Sequence, residues 1–164
     1  MESARPSLFR SKLSLDKLHT FLSRPVSAAV VDIFRILVGL LVSAYYVRLF
    51  LEYPLYTSES GFLDHELHRK LFWFTELTLF FPGSPAWYKL GILGLGALGA
   101  LALTLGVRPK LGAVICWLVA VSVHRWNFAV INVDDSTITL LLWWMLFLPI
   151  GHTLTLDTLR KRSN

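Results

Sequence analysis

The chain has 164 residues, the size of one domain, and 54% of them are hydrophobic. A soluble domain this small needs a polar skin over its core, so the composition excludes an ordinary soluble globule and points to lipid as the solvent. The formal net charge of +5 sits in short flanks between apolar runs, which excludes the concentrated basic face of a nucleic-acid binder and suits membrane orientation.

The first 27 residues scatter Arg5, Arg10, Lys12, Lys17 and Arg24 along their length. A cleaved signal peptide would carry its charges first and an unbroken apolar core after them. From Ser14, the residues Leu15, Leu18, Phe21 and Leu22 recur at helical spacing. This predicts a short amphipathic helix lying on an anionic membrane surface. The first span then runs from Ala28 to about Phe50, with Pro25 just ahead of it, where proline is tolerated near a helix start.

The 51–88 connection is too long for plain loop. Asp64 can cap a helix starting at His65, and Leu67, Leu71, Phe74 and Leu77 form one stripe. With Phe72, Trp73, Phe80, Phe81, Trp87 and Tyr88 nearby, the pattern predicts a helix in the membrane interface. Pro82-Gly83-Ser84-Pro85 then breaks the chain. His65 and His68 share a helix face, but two histidines fall short of the ligands a metal site needs.

The second span is read as Leu90 to Val107. It holds Gly91, Gly94, Gly96, Ala97, Gly99 and Ala100, and the Gly96/Ala100 pair allows close backbone approach to a sibling or partner helix. Arg108-Pro109-Lys110 forces a reversal into a third span, Leu111 to about Val130. Its single cysteine, Cys116, reads as a small buried apolar residue, and one cysteine excludes an intrachain disulfide. The fourth span, Thr137 to Ile150, is short, with Asp135 or Ser136 as its N-cap.

The fold class expected is therefore all-α: a polytopic membrane four-helix bundle with interfacial amphipathic helices. Residues 1–27 form a cytoplasmic amphipathic segment, 28–157 the transmembrane domain and 158–164 a basic tail. The basic N-terminal flank, the 108–110 turn and Arg160-Lys161-Arg162 belong on the cytoplasmic side under the positive-inside rule. Both termini are then cytoplasmic. The 51–88 connection and the Asn132-Val133-Asp134-Asp135 turn lie outside.

Two polar groups break the apolar runs, and ionisable residues inside a span need a reason. Asp32 and Arg35 lie one helical turn apart near the inner end of the first span, with Gly39, Ser43 and Tyr46 continuing that face. They form an intramembrane pair or meet headgroups. At the outer helix ends stand Tyr45, Tyr46 and Arg48, then His124, Arg125 and Asn127, then Asn132, Asp134, Asp135 and Ser136. Arg48, His124, Arg125, Asn127, Asn132, Asp134 and Asp135 are the candidates for binding a ligand or partner. The same residues serve equally as helix caps. No serine or cysteine is set up as an activated nucleophile, no glycine-rich loop joins strand to helix, and no CxxC occurs. No catalytic or metal-ligating set is read.

The stretch Asp32–Asp157 resembles the HTTM domain, the membrane domain that vitamin K-dependent gamma-carboxylases share with many bacterial proteins. The resemblance is carried by DIFRILVGLL, by YTSESGFLDHEL, and by the run from GSPAWYKL to LFLPIG with its trailing HTLTLD. Its most specific parts are the turn Leu105–Arg108 and the Arg-Trp-Asn-x-x-x-x-Asn-x-x-Asp arrangement at 125–135. Bacterial members often read Asn-Gly-Gly-Asp where this chain has Asn132-Val133-Asp134-Asp135. The resemblance implies a helical membrane bundle but not the carboxylase reaction, because the carboxylase lysine lies in a region downstream of the matched part. It implies a multi-pass protein of the bacterial inner membrane. Such a protein is expected to be a non-catalytic accessory subunit or maturation helper that contacts lipid, quinone or partner membrane helices. The alternative is a membrane enzyme acting on a lipid-soluble cofactor or an exported peptide at the outer polar cluster. A bound lipid or quinone is the cofactor class implied. The partners implied are the bilayer and other membrane subunits, not nucleic acid.

Overall fold

The computed structural model describes residues 27–57, 70, 78–126, 132–156 and 158. Every regular element among them is helical, with no strand. The helices are α1 (Ala28–Leu51), α2 (Tyr53–Thr57), α3 (Ala86–Leu105), α4 (Pro109–Trp126) and α5 (Val133–Phe147). The segment at 14–24, most of the 64–81 stripe, His65, His68 and Asn127 lie outside the described residues. Residues 78–85 run without helix, as the Pro-Gly-Ser-Pro break requires.

Helix ends follow local chemistry. Gly106 ends α3 in the left-handed region (φ 78°) and returns its N–H to Ala102, as a C-cap glycine does. Arg108 also takes positive φ, so the reversal is complete before Pro109. That proline sits at the first helical position of α4, where its missing N–H costs nothing. α4 thus begins two residues ahead of the expected Leu111. α5 stops at Phe147 because Leu148 precedes Pro149 and adopts an extended backbone.

The start of α5 departs from the sequence reading. The N-cap is Asn132 rather than Asp135 or Ser136, and the helix begins at Val133. Asp134 and Asp135 occupy its first turn, where negative charge meets the positive end of the helix dipole.

α3 lies at the centre, packed most extensively against α1 and α4, while α5 packs on α4. The core-facing stripe of α3 is Leu93, Gly96, Gly99, Ala100 and Leu103. A Cβ at Gly96 would fall 2.6 Å from Tyr46 Cζ, and one at Gly112 2.6 Å from the Gly99 carbonyl oxygen. The small residues therefore let sibling helices touch through their backbones. Gly91 and Gly94 face open space and take no part in this contact.

Polarity runs from inside to outside in an unusual order. Asp32 and Arg35 are fully buried, whereas Leu37 is 59% exposed and Leu98 64%. Leu40, Leu118, Leu140, Trp144 and Phe147 are exposed too. α1 and α3 are long and apolar enough to cross a membrane. At 1.5 Å per residue they reach about 36 and about 30 Å; α4 and α5 are shorter.

Candidate functional site

The two polar groups occupy opposite ends of α1. At the Asp32 end the chain beyond α5 folds back across the bundle. Asp32 accepts the Gly151 N–H at 2.7 Å, the Thr153 N–H at 2.7 Å, the Leu154 N–H at 2.9 Å and the Thr153 hydroxyl at 2.9 Å. Gly151 can present its N–H because it holds φ 86°, and a side chain there would meet Pro109 Cγ at 2.6 Å. Arg35 donates to the carbonyls of Leu103, Thr104 (2.9 Å) and Leu154 (2.6 Å). The direct Arg35–Asp32 contact is the longest of the set, at 3.3 Å. Each charge is held chiefly by third parties, which tie α1, the end of α3 and the 151–155 loop together. Every side-chain nitrogen and oxygen of this pair has a partner within the chain. The rest of the predicted polar stripe is also internal. Ser43 bonds the Gly39 carbonyl at 2.8 Å, and Tyr46 reaches the Cys116 carbonyl at 2.7 Å.

The Arg48 end is different. The last turns of α1 and α4, helix α2 and the first turn of α5 bring Tyr45, Arg48, Tyr56, His124, Asp134, Asp135 and Thr139 together. Arg48 contacts Asp134 Oδ2 at 3.3 Å and Glu52 Oε2 at 3.5 Å, and donates to the Tyr56 hydroxyl at 2.8 Å. Its guanidinium lies 5.9 Å from the Tyr56 ring centre. Burial pushes the Tyr56 phenol above its usual range, which keeps it neutral beside Arg48.

His124 bridges two hydroxyls: Tyr45 Oη lies 3.2 Å from Nε2, and Thr139 Oγ1 3.3 Å from Nδ1. Thr139 spends its hydroxyl proton on the Asp135 carbonyl at 3.0 Å. Nδ1 must then carry the ring proton and donate to Thr139, leaving Nε2 to accept from Tyr45. This assignment uses both ring nitrogens.

Asp135 is 2% exposed. Its Oδ2 accepts the Asn132 N–H at 3.0 Å, the return half of a capping box. Its Oδ1 is buried and has no hydrogen-bond partner among the described residues. Tyr56, on the helix after the first span, lies within electrostatic reach of this carboxyl.

Of the residues singled out in the sequence, Tyr45, Arg48, His124, Asp134 and Asp135 meet here. Tyr46 does not; it lies mid-bundle against α4. Ser136 is exposed and bonds within its own helix, Asn132 serves as N-cap, and Arg125 is half-buried in the last turn of α4. Tyr56, Thr139 and Glu52 are additions. Thr139 was legible as the residue one turn beyond Asp135; Tyr56 was not, because nothing local predicts α2. Lys89 was also passed over. It is buried in the first turn of α3 with Nζ 5.5 Å above the Trp126 ring, a cation–π distance.

Among the described residues no group of three or more histidine, cysteine or acidic side chains could hold a metal ion. Cys116 is buried, with Sγ 3.4 Å from the Gly96 carbonyl. At the Arg48 end the described residues present hydrogen-bonding and ion-pairing groups. Comparisons with protein-family models, with curated proteins and with solved structures find no match to this chain.

Proposed function

We propose that this chain is a four-span membrane protein of the HTTM type that acts as a non-catalytic accessory subunit or maturation helper, and that the Arg48 end is its recognition site. The observation that carries the membrane reading is the inverted polarity of the bundle. Leucine, tryptophan and phenylalanine face outward on all four long helices while an Asp–Arg pair is fully buried. Exposed apolar surface on this scale would drive association in water and is at rest in lipid. The extended Leu148–Ile150 segment lengthens the apolar reach of α5, and a short span is accommodated by local thinning of the bilayer.

The recognition reading is supported by the contrast between the two polar ends. The Asp32 end is saturated by its own chain, as a structural staple is. The Arg48 end keeps a buried carboxylate oxygen without a donor, and buried polar atoms are otherwise paired in folded proteins. The protein should be purified from native membranes as wild type and as Asp135→Asn. The expected result is a stoichiometric membrane partner with the wild type that is lost from a variant melting at or above the wild type. A lipid-soluble quinone recovered without any partner would overturn the accessory reading and favour a membrane enzyme.

A further inference from the structure

No hydrogen bond from a described residue reaches Asp135 Oδ1. Beside it, the Tyr45 hydroxyl goes to His124, the His124 ring proton to Thr139, and the Thr139 hydroxyl to the Asp135 carbonyl. Arg48 sends one N–H each from Nε, Nη1 and Nη2 to Glu52, Asp134 and Tyr56, which leaves the second N–H of Nη1 and of Nη2 for a further acceptor. A buried carboxyl oxygen without a donor carries its desolvation penalty uncompensated, and a ligand that brings an N–H removes it.

The local charge selects the sign of that ligand. Among the described residues, the carboxylates of Glu52, Asp134 and Asp135 gather around the Arg48 guanidinium. Three carboxylates beside that one guanidinium favour a cationic donor. Depth orders the charges further. Asp135 lies inside, while the Arg48 and Asp134 side chains are 42% and 60% exposed at the rim. A guanidinium at the rim with a carboxylate behind it matches a zwitterion whose phosphate stays outside and whose ammonium enters. Apolar surface lies on the same helix ends: Val47, Leu51, Val133 and Leu140 are all exposed. That surface suits acyl chains.

We propose that the Arg48 end binds the headgroup of an ethanolamine phospholipid, with the primary ammonium donating to Asp135 Oδ1 and the phosphate against Arg48. The proposal rests on reading this end as the recognition site of a membrane-embedded protein. The chemistry sets a sharp selectivity. A choline headgroup has the same charge and phosphate but no N–H, so it cannot satisfy Oδ1.

The test uses the full-length protein, delipidated in mild detergent and offered ethanolamine or choline phospholipids of identical acyl chains, with retention read by native mass spectrometry. One charge-assisted hydrogen bond corresponds to a preference of roughly tenfold for the ethanolamine lipid. Asp135→Asn, which keeps an oxygen for the Asn132 N–H, should abolish the preference. Equal retention of both lipids by the wild type would overturn the proposal, and this comparison needs no variant. An undiminished preference in Asp135→Asn would also overturn it. Free ethanolamine should fail to displace the lipid at equimolar amounts; full displacement would sink the lipid as source. Equal retention together with partner loss in Asp135→Asn would leave the accessory reading standing and remove only this one. Selectivity without any partner would do the reverse.

Discussion

At the residue scale, Asp32 and Arg35 act through the loop more than through each other. Asp32→Ala would strand three backbone N–H groups and an unneutralised guanidinium. Breaking a buried pair from one side costs about 3–5 kcal/mol. Arg35→Gln leaves the four Asp32–loop bonds in place and should cost less, about 1–3 kcal/mol. Thermal melting in detergent should therefore rank Asp32→Ala as the more damaging change, and the reverse order would refute the staple. Asp135 carries two opposed effects, a useful Oδ2 and an unsatisfied Oδ1. Asp135→Asn keeps an acceptor for the Asn132 N–H and removes the buried charge. In lipid-free detergent it should melt at or above the wild type. Asp135→Ala loses the cap and should fall below by about 1 kcal/mol. An Asn variant that melts as low as the Ala variant would show that Oδ1 is not a source of strain.

At the scale of elements, α3 is the axis of the bundle because its small residues face both neighbours. The glycines are unequal, which makes a clean comparison. Gly96→Val would push into the Tyr46 ring and disturb its bond to the Cys116 carbonyl. Overpacking of this kind costs about 1–3 kcal/mol or more. Gly91→Ala meets nothing within 4 Å and should be neutral or stabilising by up to about 1 kcal/mol, the gain in helix propensity. Equal loss of melting temperature in both variants would mean that α3 does not pack through the Gly96 face. The start of α5 shows how the same residues can be read two ways. Val133-Asp134-Asp135-Ser136 looks like a polar turn, yet acidic residues suit a first helical turn. Asn132 and Asp135 at N-cap and N3 have the spacing of a capping box.

At the scale of the whole molecule, charge and exposure bear on orientation together. Arg108 and Lys110 flank the Asp32 end, while Glu52, Asp134 and Asp135 lie at the Arg48 end. In the proposed four-span topology, the positive-inside rule would turn the Asp32 end toward the cytoplasm. With four crossings, a reporter fused after Asn164 should be cytoplasmic and one inserted at Ser58 external. An external C-terminus would sink the four-span topology. The 151–155 loop gains significance at this scale. By folding back onto Asp32 and the α3–α4 turn, it closes the Asp32 end with the chain's own backbone groups. Backbone in a low-dielectric setting must find partners within the protein.

The sequence by itself determined that the chain is helical, that its first long helix begins at Ala28, and that polar residues gather at the two ends of the apolar runs. These are properties of composition and spacing, and they survive because apolar runs of this length have few alternatives. What Asp32 and Arg35 bind was decided only by the tertiary structure. Their partners at Leu103, Thr104 and Gly151–Leu154 are about 70 to 120 positions away, and no local pattern reports a contact at that separation. The same holds for the Arg48 end. The sequence listed Arg48, His124, Asp134 and Asp135 as neighbours by membrane level, but helical phase and packing sent Tyr46 inward and brought Tyr56 and Thr139 in. Above all, the state of one oxygen, Asp135 Oδ1, depends on how every surrounding hydroxyl and ring nitrogen is already engaged. That is a property of the assembled cluster, and only the folded chain contains it.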